Sequence, residues 1–227
     1  RLVDARGELP IRQRMSELAG ALAPQLAARM LESTRPGRFG VLLARVPGVA
    51  PPIVSIIGAG TLGATAARQF AGLGAIVHLL DVRCDHLRAL ASRLPANVIT
   101  RESNAGAIDQ VIRFSNVVVL AVEDADGHAP TVITWDHITA MRPGAALLDF
   151  SVQIGGASAS SRPIASPDEV YEKLGVLHMT MPNTPALVAR TASKRLSSAL
   201  VPFILQLARE GEPRPAWRGL EDAEPTP

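Results

Sequence analysis

Three glycines and an aspartate stand at a spacing that suits nucleotide binding. Gly58, Gly60 and Gly63 follow the apolar run 53–57 and open a helical pattern, and Asp81 comes about 20 residues later. The first glycine permits a tight turn, the second lets the backbone approach a pyrophosphate, and the third lets the helix pack close to the strand. The new helix directs its free N–H groups and the positive end of its dipole at the phosphates.

The aspartate decides which dinucleotide this pattern favours. Asp81 ends the apolar run 76–80, where its carboxylate can accept hydrogen bonds from a ribose diol and would repel a 2′-phosphate. The pattern therefore predicts NAD rather than NADP. FAD and S-adenosylmethionine proteins also use Gly-rich first turns, and a tight turn without a ligand is a further alternative. The predicted cofactor contacts in this region are Gly58, Ala59, Gly60, Thr61, Leu62, Gly63, Asp81, Val82 and Arg83.

Strand and helix patterns alternate around this turn. The predicted strands are 53–57, 76–80, 97–100, 117–121, 145–149 and 175–179. The helices predicted between the first five are 61–73, 84–93, 105–113 and 134–140. This order predicts an α/β fold with a Rossmann-type, doubly wound and mainly parallel sheet, because consecutive βαβ units are right-handed.

The ends of the chain are predicted to flank this sheet. A helical stretch begins near Met15, with Ser16 as a plausible cap, and a second helix spans 186–209 with one apolar face. Residues 151–168 are rich in small residues and indicate a long loop of the kind that is often functional. The predicted domains are an N-terminal segment with a connecting helix (1–50), a dinucleotide-binding domain (51–189), and a returning helix with a mobile tail after Gly211 (190–227).

Composition excludes several classes of function. The 227 residues are 47% hydrophobic with a net charge of +2 and show no basic block, which argues against nucleic acid as a partner. No apolar run reaches the 18 or so residues that a membrane span needs. The five histidines are scattered, so no metal site is predicted, and the single Cys84 excludes a disulfide within the chain and fits a cytoplasmic protein.

An ordered series of segments from about residue 12 to 210 resembles the alanine dehydrogenase family, which is related to the α subunit of pyridine-nucleotide transhydrogenase. Besides the glycine turn, the matching segments are 15–20, 40–43, 46–49, 101–104, 141–144, 155–156, 161–163, 183–185 and 190–191. The run Asp81-Val82-Arg83 is more similar to the transhydrogenase branch, whereas Ser161-Arg162-Pro163 is more similar to alanine dehydrogenase.

The resemblance implies an architecture and further contacts. Such enzymes have a substrate lobe and a dinucleotide lobe that are joined by a long helix. Residues 14–33 would form this connecting helix, and residues 190–210 would form the helix that returns to the substrate lobe. The family assembles into oligomers, which implies a homo-oligomer or a partner chain here. The resemblance and the strand ends also predict cofactor contacts at Ser16, Ala121, Val122, Gln153, Asn183 and Thr184.

The resemblance leaves the catalytic residues unassigned. The family's substrate-binding basic residues and catalytic histidine belong to the substrate lobe, and its usual acid position is Gln153 here, an amide that cannot titrate. The favoured hypothesis is an NAD-dependent oxidoreductase that moves a hydride between nicotinamide and an amino or keto acid. The alternatives are a non-catalytic NAD(H)-binding module and a transhydrogenase-like subunit.

Overall fold

A computed structural model of the protein describes residues 9–33 and 40–210. These residues form two compact units. One unit contains residues 19–184, and the other contains the described residues before 19 together with those from 185 onwards. The first helix, α1 (Pro10–Leu31), begins in one unit and ends in the other.

The larger unit is built on a seven-stranded sheet. Its strands are β1 (Ile53–Ile57), β2 (Ile76–Asp81), β3 (Val98–Glu102), β4 (Val117–Leu120), β5 (Ala146–Asp149), β6 (Tyr171–Lys173) and β7 (Val176–Met179). The spatial order is β3-β2-β1-β4-β5-β7-β6, and every pair is parallel except β6 with β7. The predicted Rossmann-type α/β fold is confirmed.

Helices connect the strands and cover the sheet. They are α2 (Thr61–Gly72), α3 (Cys84–Ala91), α4 (Ala105–Ile112) and α5 (Trp135–Ala140), followed in the other unit by α6 (Ala189–Glu210). Short 3-10 turns occupy Val152–Ile154, Pro167–Glu169 and Thr184–Val188. The central strands β4 and β5 are buried along their whole length, as expected for a parallel sheet that is covered on both faces.

The strand order creates a crevice at one edge of the sheet. From β1 the chain builds outwards through β2 to β3, and then returns to place β4 on the other side of β1. The connections that leave β1 and β4 therefore diverge at the carboxyl edge of the sheet, and α/β proteins bind their ligands at such a switch point. The fold thus brings the glycine turn after β1 and residues 121–122 after β4 to the same crevice.

Apolar side chains from α4 and α5 pack on β4 and β5 and form a large part of the core. On α1, Gly20 makes a close helix contact possible, because a Cβ there would lie 2.5 Å from the Leu62 carbonyl oxygen and 2.9 Å from the Thr65 Cβ. The glycine therefore lets α1 lie directly against the start of α2.

The structure corrects one predicted helix start and adds elements that were not predicted. The first helix begins at Pro10 rather than near Met15, so Ser16 lies inside α1 and does not cap it. Strand β6 was not predicted, because only Tyr171 of its three residues is apolar and buried. The predicted loop over 151–168 contains two 3-10 turns. The tail predicted after Gly211 lies outside the described residues.

The smaller unit leaves apolar side chains on the surface. On α6, Ile204 and Leu205 are 58% and 50% exposed, and Val201 is 47% exposed. Within the same unit, the Arg195 guanidinium forms an ion pair with Glu17 of α1. No helix among the described residues is long and apolar enough to cross a membrane.

Candidate functional site

The glycine turn is held tightly against neighbouring backbone at two of its three glycines. Gly58 has a φ of +99°, and a Cβ there would lie 2.2 Å from the Ala121 carbonyl oxygen. A Cβ on Gly63 would lie 1.8 Å from the Gly58 carbonyl oxygen. Both glycines are therefore required by the fold itself, since any side chain would push β4 or α2 away from the turn.

The middle glycine has no such structural reason. Gly60 has a φ of −61°, which any residue can adopt, and a Cβ there would have nothing within 4 Å. It precedes α2, whose first α-helical hydrogen bond runs from the Ala64 N–H to the Gly60 carbonyl at 2.9 Å. The N–H groups of the first turn have no partner within the helix, and the space beside Gly60 is open. No side chain caps this end and no acid lies in its first turn.

Asp81 points at this turn from the end of β2. One carboxylate oxygen accepts the Ala59 N–H at 2.8 Å, and the other accepts the backbone N–H and the Nε of Arg83 at 2.9 and 3.2 Å. Burial alone would raise the pKa of Asp81, but these hydrogen bonds and the Arg83 charge hold it below its ordinary value. The site therefore holds a carboxylate beside the helix N-terminus at neutral pH.

The backbone of Ala59 is held at both its N–H group and its carbonyl oxygen. While Asp81 accepts its N–H, the Nε2 of His86, in the first turn of α3, lies 2.9 Å from its carbonyl oxygen and can only donate to it. The turn is therefore oriented by two side chains that follow β2. Sequence analysis missed His86, and its place in the first turn of the helix after β2 was the available clue.

Residues Ala121 and Val122 join the turn to the loop that follows β5. The Ala121 N–H donates to the Ile57 carbonyl at 2.9 Å, beside the first glycine. The Ser151 hydroxyl accepts the Val122 N–H at 3.0 Å and donates to the Val122 carbonyl at 2.8 Å. Ser151, which was not predicted, therefore fixes the loop after β4 to the loop after β5.

Asp149 organises the loop after β5. Its carboxylate accepts the N–H groups of Ser151 and Ala157 at 2.8 and 2.7 Å and the Ser161 hydroxyl at 2.5 Å. It is only 1% exposed. Burial raises the pKa of Asp149 above its ordinary value, although these hydrogen bonds act in the opposite direction. Asp149 thus joins three residues of the loop that follows β5 and shapes that loop.

Gln153 lies on this shaped loop with an exposed side chain, in the 3-10 turn Val152–Ile154. The neighbouring Ile154 carbonyl accepts the Ala129 N–H at 2.8 Å, which ties the turn to the segment that follows β4. The amide of Gln153 is thus presented at the carboxyl edge of the sheet. It can donate and accept hydrogen bonds there but cannot take up a proton at working pH.

The remaining predicted residues lie in different environments. Asn183 is exposed, with a φ of +51°, in the turn after β7, and Thr184 beside it is buried. Ser16 belongs to the smaller unit. Val82 is 72% exposed next to Asp81. Within the described ranges, no group of three or more His, Cys, Asp or Glu side chains could hold a metal ion.

A second polar cluster lies near the sheet edge. The Nδ1 of the buried His178 faces the Val176 carbonyl at 2.9 Å and so carries the proton, which leaves Nε2 to accept the Ser160 hydroxyl at 2.8 Å. Burial lowers the pKa of His178 to about 4. The Tyr171 ring stacks on His178, and its hydroxyl donates to the Ser160 carbonyl. Every polar group of this cluster is satisfied internally, which makes it structural.

Proteins of one known family match most of this chain. The family model described as "Alanine dehydrogenase/PNT, C-terminal domain" matches residues 23–218. Alanine dehydrogenase of Halomonas elongata is 38% identical over 205 residues, which are 90% of this chain and 55% of that protein. For alanine dehydrogenase of Bacillus subtilis the values are 37% over 204 residues, 89% and 54%. The chain thus spans about half the length of these curated relatives.

Two solved structures superpose on most of this chain. An L-alanine dehydrogenase superposes with a TM-score of 0.85 at 34% identity, covering 91% of this chain and 57% of the other. A transhydrogenase from Sinorhizobium meliloti superposes with a TM-score of 0.73 at 22% identity, covering 88% and 57%. The second match shows a shared fold and nothing more.

Proposed function

Because this chain belongs to the family of alanine dehydrogenase/PNT C-terminal domains, we propose that it is the NAD(H)-binding lobe of an alanine dehydrogenase-like oxidoreductase. The reaction would move a hydride between nicotinamide and a small amino or keto acid. Since the chain spans about half the length of its relatives, the substrate and the complete reaction are part of this proposal.

The observation that supports the proposal best is the open space at Gly60. The two glycines on either side are required by the fold, whereas at this one neither the backbone conformation nor the packing excludes a side chain. A pyrophosphate in contact with the backbone would account for it, since a methyl group would fill the same space. The uncapped, acid-free start of α2 supplies the N–H groups and the dipole that an anion requires.

The other parts of the crevice suit the two ends of a dinucleotide. Asp81 is ionised beside the turn, where it can accept hydrogen bonds from the hydroxyls of the adenosine ribose. Ala121, Val122 and Gln153 lie at the ends of β4 and β5, where the nicotinamide end would lie. When bound, NAD would supply the C4 atom that accepts or donates the hydride. The residues of this chain would bind and orient the ring.

Gln153 limits what this chain can do by itself. Oxidation of an amino acid to an imine requires transfer of a proton close to the hydride. An amide can align an ammonium group through its carbonyl oxygen, but it cannot act as the base. A second candidate function follows from the same observation, namely an NAD(H)-binding module that does not catalyse. The exposed apolar side chains of α6 favour, in either case, a second copy or another partner.

Two measurements on the purified chain separate these functions. Calorimetric titration with NADH tests binding, and the absorbance of NADH is then followed with pyruvate and ammonium present. Consumption of NADH supports a dehydrogenase. Binding without consumption, both by the chain alone and together with the proteins encoded beside its gene, supports the module. If Gln153 accounts for low turnover, Gln153→Asp raises the rate by about 100-fold or more, the usual contribution of a positioned acid or base. Absence of NADH binding to a folded chain contradicts both functions.

A further inference from the structure

The carboxylate that would receive the ribose is already engaged by the protein at both of its oxygens. Asp81 accepts three hydrogen bonds, and its side chain is only 7% exposed. Two of the donors are backbone N–H groups, from Ala59 and Arg83, which cannot move without deforming the turn or the start of α3. The third donor is the Arg83 Nε, at 3.2 Å. Only this last contact can be exchanged for a ligand without moving the backbone.

The Arg83 side chain is suited to such an exchange. It is 62% exposed, and its side chain makes no capping hydrogen bond to α3. Because the guanidinium itself is mostly exposed and two backbone donors remain on the carboxylate, water or a ligand can replace its contact with Asp81. A ribose hydroxyl that approaches the Oδ1 atom of Asp81 has to compete with the Arg83 Nε for it.

We infer that Arg83 sets the selectivity between NADH and NADPH, by covering the Asp81 carboxylate from the ribose and by offering its charge to a 2′-phosphate. This inference rests on the proposed function, because it assumes that a dinucleotide binds at the glycine turn. The 2′-oxygen is the atom of the ribose that meets the acid at the end of β2. A phosphate on that oxygen would therefore lie within reach of both Asp81 and Arg83.

The two nucleotides respond to Arg83 with opposite signs. Towards NADH, the guanidinium competes with the ribose hydroxyls for Asp81 and weakens binding. Towards NADPH, it neutralises the carboxylate that repels the phosphate, and it can form charge-assisted hydrogen bonds with the phosphate oxygens. Arg83 therefore narrows the preference for NADH that Asp81 alone would produce. The neighbouring charged side chains of α3, Asp85 and Arg88, pair with each other at 2.7 Å and add little net charge.

The test compares dissociation constants for NADH and NADPH, measured by calorimetry, in the wild type, Arg83→Gln and Arg88→Gln. The Arg88 variant removes the same charge from the same helix but not from Asp81, so it controls for net charge. Both arginine side chains are mostly exposed, and equal melting temperatures establish that the variants fold. Because the attraction to the phosphate is electrostatic, the effect on NADPH should shrink at high salt.

In Arg83→Gln we expect NADPH to bind about five-fold more weakly and NADH equally well or more tightly, so that the ratio of the two constants widens by about five-fold or more. In Arg88→Gln the ratio should stay within about two-fold. In Arg83→Lys the ratio should lie between those of the wild type and Arg83→Gln, because lysine keeps the charge but loses the donor geometry of the guanidinium. An unchanged or narrower ratio in Arg83→Gln, or an equal change in the Arg88 control, overturns the inference. A wild type that binds neither nucleotide overturns the proposed function as well.

Discussion

Two glycine substitutions, at Gly60 and Gly63, should differ in their effect on stability. Gly60→Ala places a methyl group in open space at a backbone conformation that alanine adopts readily. Alanine is a poorer N-cap than glycine by roughly 1 kcal/mol, while the stiffer unfolded chain returns about 0.4–1 kcal/mol. The free energy of unfolding should therefore change by less than about 1 kcal/mol, which corresponds to about 2–4 °C in melting temperature. Binding of NADH should weaken by about ten-fold or more, since the methyl group occupies the space left for the pyrophosphate.

Gly63→Ala is the matched comparison. Its Cβ would lie 1.8 Å from the Gly58 carbonyl oxygen and 3.4 Å from the Ile56 Cγ2, so α2 must shift away from β1. Overpacking of this kind costs about 1–3 kcal/mol or more, which exceeds the gain of about 1 kcal/mol from replacing a helical glycine. We expect this variant to have a lower melting temperature than both the wild type and Gly60→Ala.

The assay pairs thermal unfolding with calorimetric titration of NADH for all three proteins. We expect Gly60→Ala to lose NADH affinity but keep its melting temperature, and Gly63→Ala to lose both. This expectation is refuted if Gly60→Ala binds NADH as tightly as the wild type, or if Gly60→Ala loses as much stability as Gly63→Ala. In the second case the glycine would serve the fold, and the best support for the dinucleotide site would disappear.

Two further predictions concern the loop after β5 and the buried histidine. Ser151→Ala leaves the Val122 N–H and carbonyl without their hydroxyl partner. NADH binding should weaken, while the affinity for ADP-ribose should stay within about two-fold of the wild-type value, because only the nicotinamide end of the site is disturbed. Equal losses for both ligands would contradict this prediction. Burial lowers the pKa of His178 to about 4, so the folded chain keeps the ring neutral down to about that pH, whereas the unfolded chain protonates it below the ordinary pKa of 6.5. Its contribution to stability is therefore complete above 6.5 and declines as the pH falls towards 4, by up to about 3 kcal/mol. Denaturation by urea between these pH values should show a shallower decline in His178→Gln than in the wild type, and parallel declines would show that His178 does not contribute.

Much of the fold could be predicted because the information is local. The strands β1, β2, β4 and β5 are short, apolar runs followed by turn residues, and their alternation with helices fixes a parallel sheet. The glycine turn was identified from spacing alone for the same reason. Helix α1 begins at Pro10, earlier than expected. This start was missed because the first turns of the helix are polar and show no apolar period, although proline suits the first position of a helix.

The arrangement of the candidate site could be predicted only in part, because its contacts join distant segments. Asp149 reaches donors on Ala157 and Ser161, and Ser151 reaches back to Val122. Nothing in the spacing of small residues over 151–168 indicates which of them meet. His86 likewise contacts Ala59 only because α3 follows β2 at the carboxyl edge of the sheet. Such pairings depend on the folded topology, which the sequence indicates only coarsely.

The central claim is that a dinucleotide binds where β1 meets α2, with Asp81 on its adenosine ribose. The most direct test is calorimetric titration of NADH into the wild type and Asp81→Ala, with melting temperatures to establish folding. We expect a dissociation constant below about 1 mM for the wild type and binding at least about ten-fold weaker in the variant, since hydrogen bonds to charged groups are worth about 1.5–3 kcal/mol. A folded wild type that does not bind NADH, or a folded variant that binds it equally well, would contradict the claim.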